Sequence, residues 1–127
     1  MVSVEEALAV HEASLSLFGG RGGIRDIGVL EAALAQPFQS FGGEDLHPDD
    51  LGKAARLCYG VVADHPFVDG NKRTGAALLG AFLRTSGYLF KPEPDDLYAT
   101  VMAVASGAMD GVALERWVRE NAGPRDR

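Results

Sequence analysis

The run Gly75-Ala76-Ala77-Leu78-Leu79-Gly80-Ala81-Phe82-Leu83 is apolar or small on every side of a helical wheel. A helix without a polar face has to be enclosed by other elements, so this segment marks the centre of the fold. Gly75 and Gly80 sharpen the constraint. Each costs roughly 1 kcal/mol against alanine in a helix interior, and that cost makes sense where neighbouring helices approach closely. Upstream, residues 49–64 carry Leu51, Ala54, Ala55, Leu57, Cys58, Val61 and Val62. These cover too much of the circumference for a surface helix, so a second buried helix is expected there. No stretch shows the period-two alternation of a strand. The expectation is an all-α fold.

The rest of the chain supplies the enclosure. Ser3 can cap a first helix, with Glu5 and Glu6 in its first turn and Val4, Leu8, Leu15 and Phe18 on one face. Gly19-Gly20 ends it. Asp26 caps a shorter helix with Ile27, Leu30 and Leu34, and Pro37 follows. Residues 37–48 have no helical period and read as a loop containing Phe41-Gly42-Gly43. Pro48 suits the first turn of the next helix, with Asp49 and Asp50 complementing its dipole. Beyond the central helix, Gly87 stops the chain and Tyr88-Leu89-Phe90 packs back before Pro92 and Pro94. Asp95 and Asp96 open a fifth helix with Leu97, Val101, Met102 and Val104 inward, and Gly107 closes it. A last helix over about 112–121 points Leu114, Trp117 and Val118 inward. The reading is one compact bundle of about six helices over residues 1–122, with residues 123–127 a frayed tail.

A chain of 127 residues is long enough to bury about two thirds of its unfolded surface without a disulfide or structural metal. The single cysteine, Cys58, excludes an intramolecular disulfide and reads as a small core residue. A net charge of −6 argues against electrostatic binding to nucleic acid, though a local basic spot for a small anion is compatible with it. The first residues lack the basic and apolar regions of a signal peptide, and no apolar run reaches about 18 residues. A cytoplasmic protein that does not enter a membrane is expected.

Between the two buried helices lies His65-Pro66-Phe67-Val68-Asp69-Gly70-Asn71-Lys72-Arg73-Thr74. Pro66 disfavours helical geometry at His65 and stops the upstream helix there. Asp69-Gly70 signals a turn, and Asn71 is suited to cap the central helix or to hydrogen-bond a phosphate. A helix N-terminus presents free N–H groups and a favourable dipole to anions. Lys72 and Arg73 fall in its first turn, where cations oppose the dipole, so a bound anion is expected, and phosphate fits. Pro66 and Phe67 are expected to fix the loop against the core. Elsewhere, His11 reads as a packed or exposed helix residue and Arg25 as a salt-bridged or solvated surface charge.

These residues resemble the Fic/Doc superfamily, and more closely its Doc (death-on-curing) branch. The Fic pattern H-P-F-x-D/E-G-N-G-R-x-x-R is met through Asn71, but Lys72 stands in place of its glycine and Ala76 in place of its last arginine. The Doc pattern H-x-F-x-D/N-A/G-N-K-R is met at every position. Gly23-Ile24-Arg25-Asp26, Leu30-Glu31-Ala32-Ala33-Leu34, Phe41-Gly42-Gly43 and residues 107–117 also look like the family. By the same resemblance, residues 37–48 correspond to a flap that helps hold a target polypeptide; a mobile surface connection is the alternative reading. Ser106 to Gly111 superficially resembles the inhibitory motif of some Fic proteins, but an ordinary interhelical turn is expected.

Transfer of a nucleotide's phosphoryl group needs a base, charge neutralisation and usually Mg²⁺. His65 is the candidate base. Asp69, the only carboxylate of the loop, is the candidate Mg²⁺ ligand. Gly70, Asn71, Lys72 and Arg73 are the candidates for binding the phosphates of ATP. The Doc resemblance implies a toxin of a toxin–antitoxin system: a protein kinase that moves the γ-phosphate of ATP to a threonine of elongation factor Tu and inhibits translation. It also implies a Phd-like antitoxin as partner. A Fic-type AMP transferase and a catalytically inactive binding module are the alternatives, and Lys72 and Ala76 count against the former.

Overall fold

Four helix starts in the computed structural model, which describes residues 1–124, are fixed by side chains that the sequence places in capping positions. Helix α1 (Val4–Phe18) begins with a full capping box: Ser3 Oγ accepts the Glu6 N–H, and Glu6 accepts the Ser3 N–H. Asp26 caps α2 (Ile27–Ala35), Asp49 caps α3 (Asp50–Asp64) and Asp110 caps α6 (Gly111–Asn121). Pro48 therefore lies just before α3, because Asp49 supplies the cap itself. The central helix α4 (Asn71–Thr85) follows α3, and α5 (Pro94–Ser106) starts on its proline. Among the described residues the fold is six α-helices with a 3-10 turn at Gln36–Phe38.

Helices α3 and α4 form the most extensive helix–helix contact and divide the interior between them. On one side Ala54, Ala55, Cys58 and Val62 of α3 and Leu79 and Leu83 of α4 meet Val101, Val104, Leu114 and Val118 from α5 and α6. On the other, Leu57, Val61 and Leu78 meet Ala7, Leu30, Ala33, Leu34 and Phe67. Gly75 marks the crossing: a Cβ there would lie 2.5 Å from Val62 Cγ2 and 3.3 Å from the Cys58 carbonyl. Gly80 does not behave alike, since a Cβ would meet only the end of the Arg84 side chain on its own helix. Burial pushes the Cys58 thiol up to about 12. Helix α1 packs Val4 and Leu8 against the core as expected, and Leu15 is half-buried. Ala7, His11 and Ser14 are buried, whereas Phe18 is 61% exposed.

Two short antiparallel ribbons correct the expectation of no strands. Strands β1 (Ser40–Phe41) and β2 (Glu44–Asp45) form a hairpin closed by Gly42-Gly43, both at positive φ as a primed two-residue turn requires. Strand β3 (Tyr88–Phe90) pairs with β4 (Ala122–Pro124), Leu89 opposite Gly123. Strands of two or three residues are too short for alternation to be read. Gly123 and Pro124, expected to fray, are therefore paired with β3. The other expected tail residues, 125–127, lie outside the described residues.

Candidate active site

The loop between α3 and α4 is held by backbone pairing with the segment after α1. Ile24 bridges to Phe67, and the Val68 N–H donates to Gly23 O at 3.0 Å. The Pro66 carbonyl accepts the N–H groups of Arg25 (2.7 Å) and Asp26 (3.2 Å). Pro66 and Phe67 are fully buried, as the sequence suggests for residues that fix the loop. The Phe67 ring stacks on the imidazole of buried His11, centroids 3.9 Å apart and planes within 7°. His11 Nε2 donates to the Asp69 carbonyl at 2.8 Å. His11 is thus neither surface nor ligand but a prop under the loop.

Asn71 does not cap α4. It is the first helical residue, and the cap position belongs to Gly70 in the left-handed conformation (φ 81°). The buried Asn71 side chain instead turns back on Phe67, accepting its N–H at 2.9 Å and donating to its carbonyl at 3.0 Å. The amide is thus engaged through both its oxygen and its nitrogen, and Asn71 also carries one of the backbone N–H groups open to an anion. Those of Asn71, Lys72 and Arg73 precede the first helical bond, from the Thr74 N–H to Gly70 O.

Asp69 accepts the Arg21 N–H at 3.1 Å on one oxygen and the Gly70 N–H at 2.9 Å on the other. These bonds, Arg21's first, hold its carboxyl below the usual carboxylate range, with smaller help from the charges of Arg73 and Arg21. Gly20 permits the approach: a Cβ there would stand 2.9 Å from Asp69 Oδ2. Among the described residues Asp69 makes no ion pair with Lys72 or Arg73. The Arg73 guanidinium lies over the Phe18 ring, 4.7 Å from its centroid. An exposed, firmly ionised carboxylate suits a hard cation. Among the described residues no group of three His, Cys, Asp or Glu side chains is placed to hold a metal unaided. A cation at Asp69 would share phosphate oxygens and water, which fits Mg²⁺.

His65 caps the C-terminus of α3 and is the only non-glycine residue at positive φ among those described (φ 54°, ψ 59°). That conformation costs about 1–3 kcal/mol and tends to occur at functional sites. Its Nδ1 lies 3.0 Å from Ala63 O. An Nδ1–H donated there leaves Nε2 with the free lone pair in the neutral ring.

The loop opens onto a cleft of about 400 Å³. One wall is Asp69, Gly70, Asn71, Lys72, Arg73 and Ala76; the other is Pro94, Leu97, Tyr98 and Val101 of α5. Five of the six candidate residues therefore converge on one cavity, and His65 stands outside its lining. The α5 wall was not legible as part of a site, since Leu97 and Val101 read as core and Tyr98 carried no signal. The segment expected as a flap or a surface connection contains the β1–β2 hairpin. Its base is anchored on α3 by Lys53, whose ammonium donates to His47 O and pairs with Asp45 at 3.5 Å. Phe41 at its tip is 83% exposed. Ser106 to Gly111 is an interhelical turn, with Gly107 left-handed and Asp110 capping α6. Among the described residues no helix is long and apolar enough to cross a membrane.

Comparison with known proteins agrees with the motif. Residues 1–83 match the Fic/DOC family. The chain is 43% identical over 70 residues to Toxin Doc of Mycolicibacterium smegmatis, an overlap covering 55% of this chain and 54% of that protein. It is 31% identical over 102 residues to Protein kinase doc of Escherichia phage P1, covering 80% of each. With the motif, the helical fold and both relatives in agreement, this chain belongs to the Fic/Doc family, on its Doc branch.

Proposed function

We propose that the chain is a Doc-like toxin that transfers the γ-phosphate of ATP to a protein hydroxyl, a threonine of a translation factor such as elongation factor Tu, and so inhibits translation. The observation that carries this reading is one short loop that joins an oriented histidine to an anion cradle at a helix N-terminus. His65 Nε2 takes the proton of the incoming hydroxyl, whose oxygen bonds to the γ-phosphorus. The bond from that phosphorus to the β–γ bridging oxygen breaks, and ADP leaves. The N–H groups at the start of α4, with Lys72 and Arg73, stabilise the charge on the phosphoryl oxygens. Asp69 would hold Mg²⁺, which would supply further neutralisation of the phosphate charge.

The cleft wall favours γ-transfer over transfer of AMP. Ala76 contributes a methyl group where the Fic pattern has an arginine to orient the distal phosphates. Lys72 fills the place of a glycine that would admit the α-phosphate. The terminal phosphate is then the one expected nearest His65 and Lys72. Incubating elongation factor Tu with this protein and ATP labelled at the α or the γ position tests the reading. Label from the γ position, with a mass gain of one phosphate, is expected; α-label would establish the AMP transferase. Silence from both, with an intact fold, would leave the inactive module.

A toxin of this kind requires a partner that restrains it. The names of the relatives support a toxin–antitoxin pair, and the Doc resemblance indicates a Phd-like antitoxin whose disordered segment folds on binding. Co-expression with the neighbouring small reading frame is expected to relieve growth arrest.

A further inference from the structure

The end of α3 has an unusual problem. The last carbonyls of a helix need donors from outside it, and a left-handed residue there usually helps by directing its own and the following N–H backwards. At this helix the following residue is Pro66, which has no N–H. The last turn of α3 also carries no basic residue of its own. The donors come from Arg25, forty positions upstream of His65. Its Nε donates to His65 O at 2.5 Å and its Nη2 to Asp64 O at 2.9 Å. Its backbone N–H donates to Pro66 O at 2.7 Å, so one residue touches three consecutive carbonyls around the histidine. Among the described residues Arg25 makes no ion pair, so the salt bridge expected of it is replaced by this fork.

We infer that Arg25 is a positioning residue for His65: its guanidinium holds the carbonyls of Asp64 and His65 and thereby keeps the histidine left-handed, with its ring aimed as a base. The inference rests on the reading of His65 as the base of the proposed transfer. Two features argue for positioning rather than general stabilisation. Arg25 is exposed and adds little to the core. Its side chain is not part of the cleft lining, and its hydrogen bonds go to the backbone that sets the direction of His65. A cation at a helix C-terminus is favoured by the dipole as well. The planar fork presents Nε–H and Nη2–H to the two carbonyls in a fixed geometry, which the single ammonium of a lysine lacks.

The test uses Arg25→Met, which keeps the stem and removes the fork, and Arg25→Lys, which keeps the charge on a single ammonium in place of the fork. A positive φ brings the amide proton close to its own Hα and gives a strong intraresidue nuclear Overhauser effect at His65. That signal is expected in the wild type and to be lost in Arg25→Met. The transfer rate to the target should fall about 10- to 100-fold in kcat, the scale of a small misplacement, while KM for ATP stays within about twofold. Arg25→Lys should fall between. Retention of the His65 signal in both variants overturns the inference, whatever the rates do. So does an unchanged kcat once the signal has gone, or a loss matched by the unfolded fraction in a urea titration. If the wild type transfers no phosphate, the proposed function fails, whereas the His65 signal still decides whether Arg25 sets that residue's conformation.

Discussion

Asn71 and His65 sit six residues apart in the same loop, yet their surroundings give them opposite relations to stability. The Asn71 amide answers both backbone groups of buried Phe67. Asn71→Ala would leave a donor and an acceptor stranded away from water, at about 1–3 kcal/mol for such a loss. We expect a clear drop in urea midpoint together with loss of transfer. The His65 ring is exposed and bonds only to Ala63 O. His65→Ala should therefore leave the urea midpoint nearly unchanged while transfer falls on the order of 10²- to 10⁴-fold, as for removal of a general base. A stable but inactive Asn71→Ala would instead place that amide on the ligand. The positions of these residues were legible in the sequence; their roles were less so. The capping rule and the phosphate role both suit an asparagine before a helix, and neither anticipates a loop that folds back four residues. His11 had no readable signal beyond sharing a face with Ala7 and Ser14, because its partners lie in another part of the chain.

At the scale of elements, the two glycines of α4 separate helix propensity from close packing. A Cβ at Gly80 would meet only the end of the Arg84 side chain, at 3.2 Å, so Gly80→Ala sets a helix-propensity gain of about 1 kcal/mol against a small displacement of that chain. Gly75 faces Val62 and the Cys58 backbone at distances no methyl group tolerates. There the same gain is outweighed by overpacking and helix displacement of about 1–3 kcal/mol or more. Thermal unfolding should drop clearly further in Gly75→Ala than in Gly80→Ala, and equal shifts would show that α3 and α4 are not locked at this crossing. The sequence indicated that α4 is central but could not tell which glycine meets a neighbour, since that depends on the rotation of one helix about another. The helices themselves were legible because their caps are local. The ribbons were not: β1 and β2 are set by a Gly-Gly turn, and β3 and β4 pair across two helices.

Across the whole molecule, α3 is the beam that joins the parts proposed to act together. Its N-terminus receives the chain from the hairpin, its middle lies between the two halves of the core, and its C-terminus delivers His65. The N-terminal fixing is electrostatic. Asp49 caps α3 through the Gly52 N–H at 2.9 Å and takes both Nη groups of Arg119 from α6 at 2.9 and 2.8 Å. Glu115 holds the same guanidinium. The bonds from Arg119, and secondarily the Gly52 N–H, keep the Asp49 carboxyl below the usual range. A carboxyl whose folded pKa is lowered contributes stability above its unfolded pKa and loses it as pH falls through the folded value. The side chains of Asp49 and Arg119 are 48% and 41% exposed, so solvent screening limits the pair to roughly 0–1 kcal/mol. The cap adds about 1 kcal/mol. Asp49→Ala should then cost about 1–2 kcal/mol at neutral pH. Asp49→Asn, which keeps a good cap but no charge, should lose only the smaller electrostatic part. Urea titrations of the three proteins from neutral pH down through the acid range should show the wild type and Asp49→Asn converging as Asp49 protonates. Asp49→Ala should stay lower throughout, because it lacks a cap in either state. A gap between wild type and Asp49→Asn that did not change with pH would remove Arg119 as its cause and leave α3 fixed at this end by its cap alone.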